Sequence, residues 1–232
     1  MAAHADTIDW HCLVDAAAVA VRASEIILQA AQQAIATRGV FKLVLAGGGT
    51  PSQAYAQLAG AAADWPKWQL YFGDERCLPV GHADRNSQMA SEAWLANGAI
   101  PGENIHAIPA ERGAATAARD YAALVDAALP FDLVLLGIGE DGHTASLFPG
   151  DTHVDTESVH AVHNAPKPPP ERVSLSRASL SNSRQVLVLV SGTAKHTALQ
   201  AWRTGEALPI AGITAIERLQ VLYDTAAAGQ PC

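Results

Sequence analysis

The segment at 137–143, Gly-Ile-Gly-Glu-Asp-Gly-His, holds the residues whose types and spacing best fit catalysis. His143 has an unperturbed pKa near neutrality, so it can take a proton from water and return it to a leaving oxygen. Asp141, two residues earlier, can fix the tautomer of this histidine or hold a substrate. The structural alternative is a capped turn with a surface histidine. The segment therefore predicts a general base at His143, with Asp141 as its partner.

A second segment, Gly-Gly-Gly-Thr-Pro at 47–51, has the composition of an anion site. Its glycines allow close approach of the backbone, and Pro51 suits the first turn of a helix. The free N–H groups and the positive end of such a helix favour a phosphate, to which Gly48, Gly49 and Thr50 would donate. An ordinary strand-to-helix turn is the alternative, and the segment matches neither a Walker loop nor a dinucleotide fingerprint.

Two charged segments add candidates for binding. In Asp74-Glu75-Arg76, the arginine can form bidentate hydrogen bonds to a phosphate. Either carboxylate can accept hydrogen bonds from substrate hydroxyls or orient the arginine. Solvated charges in a loop are the alternative. Lys195, in Ser-Gly-Thr-Ala-Lys at 191–195, would lie in a first helical turn, where the helix dipole disfavours a cation. An anionic ligand would explain its presence there.

Strands and helices alternate along the chain, which predicts a three-layer, Rossmann-like α/β fold with a mostly parallel sheet. Its carboxyl edge would collect the candidate segments. We expect one domain over 1–232. The predicted helices cover 15–38, 52–62, 87–97, 114–128, 194–203 and 213–218, and the predicted strands cover 41–46, 69–72, 104–108, 131–138, 159–163, 172–175, 185–190 and 220–223.

Charge and composition exclude several classes of function. A net charge of −8 with 15 Lys and Arg residues argues against a nucleic-acid surface, although a small anion can still be held by local cations. The N-terminus lacks the features of a signal peptide, and no apolar run is long enough to span a bilayer. These features predict a cytoplasmic protein without a membrane partner.

Cysteines and histidines outside these segments suggest no further chemistry. Cys12, Cys77 and Cys232 are far apart and odd in number, which predicts neither a disulfide framework nor a zinc site and favours a reducing compartment. His153, His160 and His163 have no accompanying cysteine, and a strand would place the last two on opposite faces. We therefore expect structural or surface roles for these histidines and no metal.

The order of motifs resembles the 6-phosphogluconolactonase family over nearly the whole chain. The motifs are Ala-Gly-Gly-Gly-Thr-Pro at 46–51, Gly-Asp-Glu-Arg at 73–76, Asp-Arg-Asn-Ser at 84–87, Gly-Ile-Gly-Glu-Asp-Gly-His-Thr-Ala-Ser-Leu-Phe-Pro at 137–149, Pro-Glu-Arg at 170–172 and Ser-Gly-Thr-Ala-Lys at 191–195. The long motif at 137–149 is specific, whereas each of the others would be weak in isolation. The first motif departs from the Ser-Gly-Gly-Ser of many relatives.

The resemblance implies a glucosamine-6-phosphate-isomerase-like fold and hydrolysis of 6-phospho-D-glucono-1,5-lactone in the oxidative pentose phosphate pathway, without an organic cofactor. Carried onto this sequence, the resemblance makes His143 the base and implies that Asp141 and Arg172 orient water or substrate. The expected substrate-binding set is Gly48, Gly49, Thr50, Asp74, Arg76, Asn86, Arg172 and Lys195. The partner would be the small phosphosugar lactone, bound by a monomer or small homo-oligomer.

Two other functions are considered. Glucosamine-6-phosphate deaminases have a similar fold but resemble Asp-Gly-His-Ile-Ala-Phe-Asn-Glu-Pro, whereas this chain has Phe148 where their glutamate stands. Phenylalanine cannot shuttle the protons of ring opening. A sugar-phosphate sensor without turnover is the second alternative, and the intact His143 and Asp141 argue against it. The proline-rich stretch at 166–170 is expected to form a stiff surface loop.

Overall fold

The computed structural model of the protein describes residues 8–151 and 156–232. Its strands are β1 (Ile8–Leu13), β2 (Phe41–Leu45), β3 (Trp68–Phe72), β4 (Asp74–Arg76), β5 (Ile105–His106), β6 (Phe131–Gly137), β7 (Val159–Val162), β8 (Arg172–Leu175), β9 (Ser183–Val190) and β10 (Arg218–Asp224). Its α-helices are α1 (Ala16–Arg38), α2 (Gly49–Ala59), α3 (Asn86–Ala93), α4 (Ala114–Ala128), α5 (Arg177–Ser181), α6 (His196–Arg203) and α7 (Thr225–Ala228).

The larger sheet of the described chain is parallel and has the strand order β1-β10-β9-β6-β2-β3-β5. From β2 the chain proceeds through β3 to β5 at one edge. It then returns to β6, on the other side of β2, and proceeds through β9 to β10. The predicted α/β fold with a mostly parallel sheet is confirmed, and the order of strands reverses between β2 and β6. Ligands of such sheets bind at the carboxyl ends of the strands beside this point.

Burial explains why the central strands and the long first helix form. Strand β6 is buried along nearly its whole length, so it has the continuous apolar sequence of a strand covered on both faces. Helix α1 begins at Asp15, whose carboxylate accepts a hydrogen bond of 2.8 Å from the N–H of Ala18, and ends at Gly39 in the left-handed conformation. Its buried alanine and isoleucine face packs against the sheet.

A second, smaller sheet has the order β4-β8-β7 and is antiparallel. The predicted strands at 159–163 and 172–175 are found here as β7 and β8. Asp74, Glu75 and Arg76 form strand β4, which the sequence did not predict, because pairing with β8 outweighs the weak strand propensity of these residues. Their register sets Asp74 opposite Ser174 and Arg76 opposite Arg172.

Two further predictions of secondary structure were incomplete or wrong. The helix predicted at 213–218 is absent from the described chain, since Ile216 and Glu217 donate backbone hydrogen bonds to Ser183 and Arg184 as the chain enters β10. Strand β1 was missed because it is a half-exposed edge strand whose polar residues interrupt any apolar run. The short helices α5 and α7 also had no clear signal.

The structure describes two of the three histidines to which the sequence assigns structural or surface roles. Residues 8–151 and 156–232 contain no group of three or more His, Cys, Asp or Glu side chains that could hold a metal ion. His160 is buried in β7, and His163 pairs with Glu171 at 2.7 Å. His153 lies outside the described residues. Among the described helices, none is both long and apolar enough to cross a membrane.

The cysteines correct one expectation. Cys12 and Cys232 form a disulfide, with 5.4 Å between their Cα atoms, although 220 positions separate them in sequence. They meet because β1 pairs with β10, which brings the first strand beside the end of the chain. The prediction of no disulfide was therefore wrong, and the expectation of a reducing compartment loses the support that it took from these cysteines.

Without reductant, the unfolded protein should titrate about one thiol per chain, from Cys77, and three after reduction. The variant Cys232→Ser should titrate two and lose roughly 2–4 kcal/mol of unfolding free energy, because the disulfide restricts the unfolded chain. Thiol titration and urea unfolding of oxidised and reduced protein measure both effects. Three reactive thiols in unreduced protein would contradict the pairing.

Candidate active site

The carboxyl ends of β2 and β6 carry the two glycine-rich segments, so these segments become neighbours at the centre of the sheet. The end of β2 is fixed by Tyr55 of α2, whose hydroxyl donates to the carbonyl of Ala46 and accepts from its N–H, each at 2.9 Å. Burial raises the pKa of Tyr55, which keeps the phenol neutral. The turn from Gly47 into α2 therefore starts from a rigid strand end.

Beyond β6, His143 and Asp141 form a close pair. Their Nδ1 and Oδ1 atoms are 2.5 Å apart, and the same Oδ1 accepts the backbone N–H of His143 at 3.2 Å. An ionised carboxylate on Nδ1 favours the tautomer that carries its proton there and leaves Nε2 as the basic nitrogen. The geometry is that of a histidine base with its orienting carboxylate.

Two glycines make room for this pair. A Cβ on Gly139 would collide with the imidazole of His143 and lie 2.5 Å from Oδ1 of Asp141. Gly142 adopts a φ of 82°, and a Cβ there would meet the side chain of Leu208 at 2.7 Å. The loop 137–143 thus needs glycine for close packing at one position and for both packing and backbone conformation at the other.

Phe148 forms one wall of the site beside His143. Its ring centroid lies 4.7 Å from that of His143, and the guanidinium of Arg172 lies 5.5 Å from it. Phe148 is buried, and its apolar ring lies beside His143 at the sequence position where a deaminase would have glutamate. This wall can hold the imidazole in place but cannot transfer a proton.

Asp74 ties three chain segments together. Its Oδ2 accepts from the hydroxyl of Ser146 at 2.6 Å, and its Oδ1 accepts from Nδ2 of Asn86 at 2.8 Å. Burial raises the pKa of Asp74, while the bond from Ser146 and the charge of Arg76 oppose this shift. A Cβ on Gly47 would overlap the amide of Asn86, so the first glycine of the β2 loop completes this packing.

Glu75 points away from this group and holds the start of α3. It is fully buried, and it accepts backbone hydrogen bonds from Arg76 at 2.9 Å, Asn86 at 2.7 Å and Ser87 at 2.9 Å. Arg85 adds an ion pair at 3.4 Å. The sequence offered two roles for this carboxylate, binding substrate hydroxyls or orienting Arg76. Glu75 does not line the cavity, and it bonds the backbone N–H of Arg76 while its side-chain ion pair is with Arg85.

The two arginines facing each other across β4 and β8 have different surroundings. Arg76 donates from Nη1 to the carbonyl of Asp84, while its Nε is buried without a hydrogen-bond partner among the described residues. Arg172 donates to the carbonyls of Lys167, Pro168 and Pro169 at 2.9–3.1 Å. Arg172 therefore fastens the proline-rich loop to the smaller sheet in addition to lining the site.

These residues surround a central cavity of about 330 Å³, which is large enough for a small phosphosugar. Of the predicted site residues, it is lined by Gly48, Asp74, Arg76, Asn86, His143, Arg172 and Lys195. Gly49 and Thr50 lie in the first turn of α2, and Asp141 lies behind His143; these three do not line the cavity as described. Thr50 forms no side-chain cap of α2, whose N-cap is Gly48.

Sequence reasoning missed Lys167, which lines the cavity from the proline-rich loop. A lysine within a rigid proline run just before Arg172 was the available signal, but a run of this kind was assigned to the surface. With Lys167, the lining cations become Arg76, Lys167, Arg172 and Lys195 in a chain of net charge −8. Such local positive charge favours an anionic ligand.

Burial and these charges shift the ionisation of the site. Burial lowers the pKa of His143 below its ordinary 6.5, the charge of Lys167 lowers it further, and the contact with Asp141 opposes both. The pKa of Lys195 is likewise lowered by burial and by Lys167, against Glu140. Burial acts to raise the pKa of Asp141, but the bonds with His143 outweigh it and the net shift is downward. At neutral pH the pair is therefore a neutral imidazole and an ionised carboxylate.

Replacement of Asp141 by Asn should lower the pKa of His143 further, because it removes the group that stabilises the imidazolium. Side-chain nitrogen NMR across a pH titration measures this pKa and shows whether the neutral ring carries its proton on Nδ1. The exposed neighbour Glu140→Gln is the matched control and should leave this pKa nearly unchanged. An unchanged or higher pKa in Asp141→Asn would contradict the pairing.

Comparison with known proteins gives one family. The family model described as glucosamine-6-phosphate isomerases/6-phosphogluconolactonase matches residues 14–222. A 6-phosphogluconolactonase of Streptomyces coelicolor is 38% identical over 218 residues, covering 84% of each chain, and one of Mycobacterium leprae is 37% identical, covering 86% of this chain and 88% of its own. The crystal structure of 6-phosphogluconolactonase from Thermotoga maritima superposes with a TM-score of 0.88 at 26% identity, covering 94% of this chain and all of that one. The chain therefore belongs to the glucosamine-6-phosphate isomerase/6-phosphogluconolactonase family.

Proposed function

We propose that this protein is a 6-phosphogluconolactonase, which hydrolyses 6-phospho-D-glucono-1,5-lactone to 6-phospho-D-gluconate in the oxidative pentose phosphate pathway. The observation that carries the proposal is the His143–Asp141 pair beside a cavity lined by four cations. A neutral base activates water, and the cations attract a phosphorylated substrate. The names of the relatives point to the same reaction.

In this mechanism, Nε2 of His143 removes a proton from water as the water oxygen bonds to the lactone carbonyl carbon. The tetrahedral intermediate then collapses, the bond from this carbon to the ring oxygen breaks, and the imidazolium returns its proton to that oxygen. Asp141 stabilises the imidazolium that exists between the two steps. The product carboxylic acid loses its proton to solvent.

Phosphate binding would position the ring for this attack. The N-terminal end of α2 beside Gly48 supplies backbone N–H groups, with Gly49 and Thr50 in its first turn. Arg76 and Lys195 supply charge from the cavity wall, and the Nε of Arg76, which has no hydrogen-bond partner within 8–151 and 156–232, is available as a donor. The phosphate is remote from the reacting carbon, so its binding energy orients the ring rather than entering the chemistry.

Asp74, Asn86 and Arg172 would bind or orient the sugar. Asp74 and Asn86 are already bonded to each other, so substrate hydroxyls meet a group of fixed direction. Phe148 supports hydrolysis over deamination, since deamination needs a proton carrier for ring opening beside the histidine. The proposed reaction calls for neither a metal nor an organic cofactor.

The wild-type protein should accelerate the decay of lactone generated in situ and should release no ammonium from glucosamine 6-phosphate. Acid release during lactone hydrolysis and an ammonium assay, run in parallel, measure the two reactions. Lactone decay at the uncatalysed rate would reject the proposed function. Ammonium release would indicate the deaminase instead, and phosphosugar binding without either reaction would indicate a sensor.

Substitution of His143 by Ala should lower kcat/KM by roughly 10²–10⁴-fold, the usual contribution of a general base. Binding of 6-phosphogluconate, measured by calorimetry, should change little because the phosphate contacts remain. The control His11→Ala changes a histidine of the edge strand β1, outside the cavity. A near-normal rate in His143→Ala would remove this residue from the role of base.

A further inference from the structure

The proposed reaction creates a negative charge that the residues assigned above leave without a partner. As water attacks, the carbonyl oxygen becomes an oxyanion, and after ring opening the same carbon carries a carboxylate. The phosphate at the other end of the substrate needs its own cations. A site for this lactone therefore requires positive charge at two separate places.

The cations that line the cavity shift the pKa values of different ionisable groups. The charges of Arg76 and Arg172 bear on Asp74, whereas the charge of Lys167 bears on His143. The reacting carbon must lie within bonding reach of water held by His143. Of the four cations that line the cavity, Lys167 is the one whose charge bears on the pKa of His143, while Lys195 interacts with Asp141 and with Lys167 itself. Because Lys167 and His143 line the same cavity, this lysine is the candidate cation for the oxyanion.

The backbone that carries Lys167 is held firmly against the site. Arg172, which is 4% exposed, donates from Nη2 to the carbonyl of Lys167 at 2.9 Å and to that of Pro168 at 3.1 Å. The N–H of Ala165 donates to the carbonyl of Pro170 at 2.9 Å and closes the loop. The half-buried side chain of Lys167 lines the same cavity as His143. The fold therefore fixes the backbone of Lys167, from which the side chain extends along the cavity wall.

We propose that Lys167 is a catalytic residue that binds the oxyanion at the lactone carbonyl carbon and then the carboxylate of the product. This inference rests on the proposed lactonase function. Arg172 holds the lysine through the loop carbonyls while its own side chain contacts Phe148, so one arginine positions both the cation and the wall beside the base. Lys167 also favours the neutral form of His143, since a second positive charge nearby is unfavourable.

The decisive measurement compares two ligands that differ at the reacting carbon. In Lys167→Met, the Kd of 6-phosphogluconate measured by calorimetry should rise at least about tenfold, while that of glucose 6-phosphate, which lacks the carboxylate, should change less than about twofold. This length-matched variant loses the charge, and Lys167→Arg should recover part of the binding. Equal weakening of both ligands would place Lys167 at the phosphate, and unchanged binding of both would remove it from the site; either result overturns the inference.

Kinetics provide a second, independent readout. Lys167→Met should lower kcat by roughly 10–10³-fold with a smaller change in KM, because the lost interaction is strongest in the transition state. The acid limb of kcat/KM should move to higher pH, since the pKa of His143 rises when the lysine charge is removed. Asp141, Asp74, Lys167 and the guanidinium of Arg172 behind Phe148 are the charges near this histidine, and three of them are unchanged in the variant.

Matched controls separate this result from misfolding and from failure of the function itself. Lys67→Met removes an exposed lysine that pairs with Asp64 away from the cavity and should alter neither readout. Thermal unfolding of each variant should match the wild type. An inactive wild type would reject the proposed function, while the ligand comparison would still test Lys167. An active wild type with an unaffected Lys167→Met would reject this inference alone.

Discussion

The parallel pairing of β2 with β6 is the constraint on which the site depends. Leu43 lies opposite Leu133 and Val44 opposite Val134, at the point where the order of strands reverses. Both strands are buried on both faces, so their register is set by the core. Their carboxyl ends therefore deliver the loop after Gly47 and the loop that ends at His143 to the same crevice. His143 and the N-terminus of α2 at Gly48 become neighbours although about 95 residues separate them in sequence.

The smaller sheet adds two arginines and a supporting carboxylate to the crevice between β2 and β6. Strand β4 follows β3 after Gly73, and pairing with β8 sets Arg76 opposite Arg172. Glu75 is turned away from the cavity, and its backbone bonds hold Asn86 where that residue reaches Asp74. The buried carboxylate of Glu75 is costly to desolvate but fully hydrogen bonded, as buried charges must be. One strand of three residues thus contributes both a cavity wall and the support behind it.

Electrostatic balance accounts for how an acidic chain can bind an anion. Its net charge is −8, yet Arg76, Lys167, Arg172 and Lys195 face one cavity. Burial lowers the pKa of Lys195, and repulsion from the charge of Lys167 lowers it further. The phosphate of a phosphosugar bound here would offset both effects. Burial is the main cause that lowers the pKa of His143 and so favours its neutral form, and the charge of Lys167 adds to this effect.

Local sequence patterns were sufficient to predict those parts of the protein that depend on residues close together in the chain. The apolar runs predicted the central strands, the glycines around His143 marked the loop after β6, and Phe148 separated the motif from that of deaminases. Edge strand β1, strand β4 and the disulfide of Cys12 with Cys232 were not predictable in this way, because each exists through a partner distant in sequence.

The position of Lys167 was decided by tertiary structure as well. A lysine among prolines has no periodic signal, and it faces the cavity because the guanidinium of Arg172 bonds the loop carbonyls beside it. Composition and motif order thus determined the fold class and the family, while long-range strand pairing and side-chain-to-backbone bonds decided which charges meet around His143.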